Sequence, residues 1–119
     1  MRIRWAEKPE RHDYAAAESY LNLVMPAPVA KRAVAGLKRA KVAEFKSKDI
    51  FRASALPLLP LRNAHVKLDE KKILARRKLS PILLVRDDRR GRVIIADGYH
   101  RLCAVYAFDE DAVIPCKIV

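Results

Sequence analysis

What this chain has little of narrows it first. It holds two cysteines and three histidines. Cys103 and Cys116 lack the close spacing, the third thiol and the partner motif of a metal or redox site. Two reduced, buried thiols in a cytosolic protein are therefore expected. Three scattered histidines with two separated thiols compose no zinc constellation, so no metal site is expected. No apolar run approaches the ~18 residues of a membrane span. The opening MRIRWAEKPERHDY lacks a signal peptide's apolar region. A cytoplasmic protein without a membrane partner follows as the expectation. Walker loops, nucleophile elbows, internal repeats and low-complexity tracts are all missing too.

What is abundant is positive charge. Twenty-five Lys and Arg against fourteen Asp and Glu give a net +11 and an isoelectric point near 10.1. Such a charge draws anions of every kind, from nucleic acid to nucleotides to acidic partners, without choosing among them. The 119 residues suit a single domain, 1–119, large enough to bury a core without disulfide staples.

Periodicity divides that domain into a mainly helical part, 1–55, and a mixed core, 56–119. Trp5 is expected to pack at the domain edge. Asp13 stands as an N-cap before YAAAESYLNLVM, where Tyr14, Ala17, Leu21 and Val24 recur at helical spacing. Pro26 and Pro28 end that helix. A second spans 29–39, with Val29, Ala33, Val34 and Leu37 inward, and a short third covers 48–55. ALPLLPLR alternates proline with leucine, which suits an edge strand or an extended segment. Asp69 reads as the cap of a helix over 70–79 that buries Ile73 and Leu74 and stops at Pro81. ILLVR, DDRRG and RVIIA read as strand, turn and partner strand. A helix over 99–108 and a final strand, VIPCKIV, complete an α+β fold: a small mixed sheet with helices on one side, behind a helical N-terminal segment.

The chemistry concentrates in Asp97-Gly98-Tyr99-His100-Arg101. A strand running straight into a helix leaves the first N–H groups unpaired, and the helix dipole favours an anion there. Gly98 frees the backbone to turn. His100 and Arg101 add donors, and the planar guanidinium matches phosphate oxygens. An ordinary turn accounts for the same spacing, with Asp97 capping the helix and His100 and Arg101 on its exposed face.

From residue 56 onward the chain resembles the ParB/sulfiredoxin superfamily. The element order agrees, and IPCKIV resembles the family's IPAK-type last strand. DGYHR is similar to the GGCHR loop of sulfiredoxins and more so to the DGHHR loop of ParB-like free serine kinases; ParB proteins carry GERR there. The resemblance implies a cradle for nucleotide phosphates at Gly98, Tyr99, His100 and Arg101, with Asp97 and His100 as catalytic candidates. It implies ATP, ADP or CTP with magnesium as the ligand class. Arg62 is a further candidate for the same anion.

Departures from the pattern limit it. Tyr99 occupies the position of the sulfiredoxin nucleophile, which excludes that thiolate chemistry. GERR and a clear DNA-binding helix-turn-helix are missing, which argues against partition function. A serine-kinase reaction needs a carboxylate base outside the loop. Glu70 is the nearest candidate, although a first-turn helix charge explains it as well. His65 reads as an isolated surface histidine. A phosphate-binding protein, with or without phosphoryl transfer, is the first expectation. A basic nucleic-acid-binding module gripping backbone through Lys71, Lys72, Arg76, Arg77 and Lys78 is the second. A non-catalytic interaction protein is the third.

Overall fold

The computed structural model describes residues 2–119. Helices α1 (Arg11–Val24) and α2 (Ala27–Arg39) precede a short strand, β1 (Ala43–Lys46), and α3 (Ser47–Ser54). An irregular stretch leads to α4 (Ala64–Leu74), then the hairpin β2 (Ile82–Asp87) and β3 (Arg92–Asp97), α5 (Tyr99–Phe108) and β4 (Val113–Ile118). The fold is α+β, with an N-terminal helical segment before the first strand.

The four strands form one mixed sheet in the order β1-β4-β2-β3. β4 runs antiparallel to β1 and parallel to β2, and β2 and β3 form the antiparallel hairpin. The sheet therefore takes a strand from the N-terminal part of the chain. β2 lies between two partners and shows why its sequence is an unbroken apolar run. Ile82 and Leu84 face a cluster with Ile50 of α3, Val66 and Ile73 of α4 and Leu102 of α5. Leu83 and Val85 face the other way, onto Ala17 and Leu21 of α1 and Ala30, Val34 and Leu37 of α2. A strand covered on both faces cannot alternate apolar with polar residues. Helices thus cover both sides of the sheet, which corrects the one-sided expectation. Each fully buried leucine contributes about 1.5–3 kcal/mol.

Several boundaries differ from the sequence reading. Glu10, not Asp13, is the N-cap of α1; Asp13 sits three residues on, and its carboxylate accepts from the Glu10 N–H at 2.8 Å. Pro28 falls within the first turn of α2, where a missing N–H costs nothing, so α2 begins at Ala27. ALPLLPLR forms no strand; residues 56–60 carry no regular secondary structure. Helix α4 starts six residues before the expected 70 and ends at Leu74, well short of Pro81. Its cap is Asn63, whose side chain accepts from the N–H groups of His65 and Val66. The shift in phase leaves Leu74 exposed and buries Val66 beside Ile73. Val24 and Val29 are likewise exposed, not inward. Trp5 packs at the margin of the core and bridges to Leu79.

Candidate functional site around the Asp97–Arg101 turn

The hairpin strand β3 delivers Asp97 directly to the start of α5, and Gly98 makes the junction. Gly98 has φ 108°, a left-handed conformation that side chains rarely adopt, and serves as the N-cap of α5. A Cβ there would lie 2.9 Å from both Arg101 Nη2 and Ile82 Cγ1. The glycine therefore makes room for the arginine side chain as well as for the turn. No side chain caps the helix. Tyr99, His100 and Arg101 are its first three residues, so their N–H groups have no partner within the helix.

Arg101 turns back into the protein. Its Nη2 donates to Asp97 Oδ2 at 2.9 Å and to the Pro81 carbonyl at 3.3 Å. The pair is mostly buried, with side chains 16% and 15% exposed. The Arg101 Nε is buried without a partner. Burial pushes the Asp97 carboxyl above its ordinary value, while Arg101 opposes the shift and the adjacent Asp13 carboxyl adds to it. Asp13 is almost wholly buried and connects the start of α1 to the turn. Its other neighbour is His12, whose Nε2 lies 3.5 Å from Asp13 Oδ1 and 3.1 Å from Glu10 Oε2. The turn is thus backed by two adjoining carboxyls, Asp97 and Asp13, with the Arg101 guanidinium on one side and the His12 imidazole on the other.

Helix α4 packs against α5 beside the turn. His65 and Asp69, one helical turn apart, both face α5. The His65 and His100 rings lie 4.8 Å apart, tilted by 41°. Burial raises the Asp69 carboxyl, and Arg101, Lys72, His100 and His65 all pull it back. His100 is pushed below its ordinary 6.5 by burial and by His65, with Asp69 opposing. Tyr99 packs near the His100 ring at 5.7 Å, and its hydroxyl donates to the Pro57 carbonyl, tying the segment before α4 to the turn.

Asp97, Gly98, Tyr99, His100 and Arg101 are therefore contiguous in space as in sequence. Arg62 is exposed in the turn before Asn63 and, among the described residues, makes no ion pair or side-chain hydrogen bond. Glu70 does not enter the set; the carboxylate that does is its neighbour Asp69. Asp69 and Asp13, expected as helix caps, and His65, expected as an isolated surface histidine, join the turn only through tertiary packing. The single available signal was the i, i+4 spacing of His65 and Asp69, which places both on one helix face. Both thiols are free and buried, and burial pushes Cys103 up and Cys116 up to about 12. Such thiols stay protonated and are poor nucleophiles.

No protein-family model, no curated protein and no solved structure matches this chain. No helix among the described residues is long and apolar enough to cross a membrane.

Proposed function

We propose that the α5 N-terminus binds the phosphate of a small ligand, with a nucleotide such as ATP, ADP or CTP as the class to test first. The observation that carries this reading is the convergence on one uncapped helix start of two imidazoles, His65 and His100, from different helices. Free N–H groups and the helix dipole attract the anion. The imidazoles add donors that strengthen on protonation. Arg101 acts from behind: held by Asp97 and Pro81, it adds positive potential and fixes the turn.

Phosphoryl transfer is part of the proposal through Asp69. A mostly buried carboxyl raised by desolvation, close to both imidazoles, suits a proton acceptor for a substrate hydroxyl. Magnesium prefers carboxylate oxygens, yet Asp69 and Asp97 both already face the Arg101 guanidinium. These residues do not fit a protein-held ion at the turn, and no step is assigned to one. The resemblance of DGYHR to the loops of ParB/sulfiredoxin proteins points to the same ligand class.

Calorimetric titration with ATP, ADP, CTP and pyrophosphate, with and without magnesium, tests the reading. One of them binds, and His100→Ala weakens that binding roughly tenfold, as expected for one charge-assisted hydrogen bond of about 1.5 kcal/mol. Asp69→Asn preserves binding and lowers any turnover. Failure of every phosphate ligand to bind the folded protein, or unchanged affinity in His100→Ala and His65→Ala, would leave DGYHR an ordinary turn.

A further inference from the structure

A concave surface elsewhere on the molecule shares no residue with the turn. A groove of about 870 Å³ runs past the C-terminal ends of α4 and α5, lined by Arg2, Arg4, Trp5, Arg76, Lys78 and Phe108 among others. Residues 2–5, Arg76 and Lys78, Glu44 of β1 and residues from 108 to 115 line it, and hydrogen bonds tie the first two of these segments together. Leu79 N donates to the Arg4 carbonyl at 2.9 Å, Ala6 N donates to the Leu79 carbonyl at 2.8 Å, and Arg4 Nη1 donates to the Arg76 carbonyl at 3.0 Å. These bonds fix Arg4 and Trp5 alongside Arg76 and Lys78.

Charge in the groove is unbalanced. Four cations face two carboxylates, Glu44 and Asp109, and among the described residues none of the six forms an ion pair. Asp109 is occupied within its own turn, accepting from the Asp111 N–H at 2.9 Å. Arg76 adds an independent sign. It has φ 57° directly after α4, where its N–H reaches the Ile73 carbonyl and that of Arg77 reaches the Lys72 carbonyl. That pattern closes a helix with a left-handed residue, a place ordinarily taken by glycine. Here the chain carries an arginine through the strained conformation, and its side chain lines the groove.

We propose that this groove binds single-stranded nucleic acid. Its cations take backbone phosphates, and Trp5 and Phe108 offer rings to stack on bases. A duplex hides the base faces that such rings need, so the unpaired strand is the form that fits. Stacking and phosphate contact both tolerate any sequence, so recognition follows strandedness, not base identity.

Trp5 is the sole tryptophan of the chain, so its emission reports on this groove alone. Titration with short oligothymidylate and oligouridylate quenches it, and affinity falls with salt at a log–log slope of about −2 to −3, from ~0.7 per contacted phosphate. Combining Arg2→Glu with Lys78→Glu weakens binding about tenfold or more, and Phe108→Ala weakens it about fivefold or more. Arg76→Gly melts at a higher temperature yet binds several-fold more weakly, a split that damage to the fold could not give. Unaltered Trp5 emission at saturating oligonucleotide would overturn the proposal. So would equally tight binding of polyglutamate or heparin, which would assign the groove to an acidic partner without bases. Equal weakening by Lys67→Glu with Lys71→Glu, on the outer face of α4, would move the site elsewhere.

Discussion

Asp69 and Asp97 hold their carboxyls in partly desolvated surroundings, and the direction of that cost is measurable. Both titrate above the ordinary 3.8 in the folded protein. Between 3.8 and the raised value, the folded chain binds more protons than the unfolded one. Stability from these groups is therefore complete below 3.8 and is lost as pH rises through the folded value. His100 shifts the other way: held below 6.5, it costs stability as pH falls from 6.5 through its folded value. Asp69→Asn keeps the side chain's shape but cannot ionise. Its melting temperature, relative to the parent, should climb as pH increases from about 3.8, and losing the Asp69 charge lowers His100 further, which adds to the climb. Thermal melts across acidic to neutral pH check this, and a parent that gains on the variant with rising pH reverses the sign. The two carboxyls also show what was legible at this scale. Asp97 announced itself because its partners are its sequence neighbours. Asp69 looked like a cap, since an aspartate before a basic, periodic stretch is what a helix start resembles.

Helix α4 is the element on which the sequence reading slipped, and the cause is local. Its true cap, Asn63, follows Leu61-Arg62, where proline-spaced leucines drew the reading toward an extended segment. Ala64 to Leu68 then offers one buried apolar residue, Val66, a weak stripe beside the Ile73–Leu74 pair. The C-terminal end was masked by Arg76, because a left-handed arginine carries none of the glycine signature that marks a helix stop. By contrast α5 and the hairpin were read nearly to the residue, since Gly98, Pro81 and the DDRRG turn punctuate them. Asn63 accepts two backbone N–H groups at 3.0 and 3.2 Å, so it sets where α4 begins and hence where His65 and Asp69 point. Asn63→Ala should cost about 1 kcal/mol of stability. Asn63→Asp or Ser should retain most of it. Denaturant midpoints of the three variants check the cap, and equal stability across them would remove it from the account.

At the scale of the whole molecule, the first 55 residues do more than decorate a core. The expected division at residue 56 separates the chain by sequence character, but the sheet ignores it. β1 pairs with β4 through Ala43–Cys116 and Phe45–Ile114, and Asp13 of α1 backs the Asp97 turn. β2 is the decisive element, because Leu83 and Val85 are buried against α1 and α2. A fragment 56–119 would leave Leu83, Val85 and Ala96 uncovered on one sheet face and Ile114 and Cys116 without their β1 neighbours. Removing Leu21 alone shows the scale: deleting a fully buried leucine side chain costs about 2–5 kcal/mol, much of a small domain's stability of about 5–15 kcal/mol. Leu21→Ala on one face and Leu102→Ala on the other should therefore lower the same single transition, because both clusters rest on alternate residues of one strand. The fragment, expressed alone, should show no cooperative melt and should bind apolar dyes. Two separate transitions in the full chain, or a fragment that melts cooperatively, would make residues 56–119 an independent folding unit and α1–α2 an accessory laid upon it.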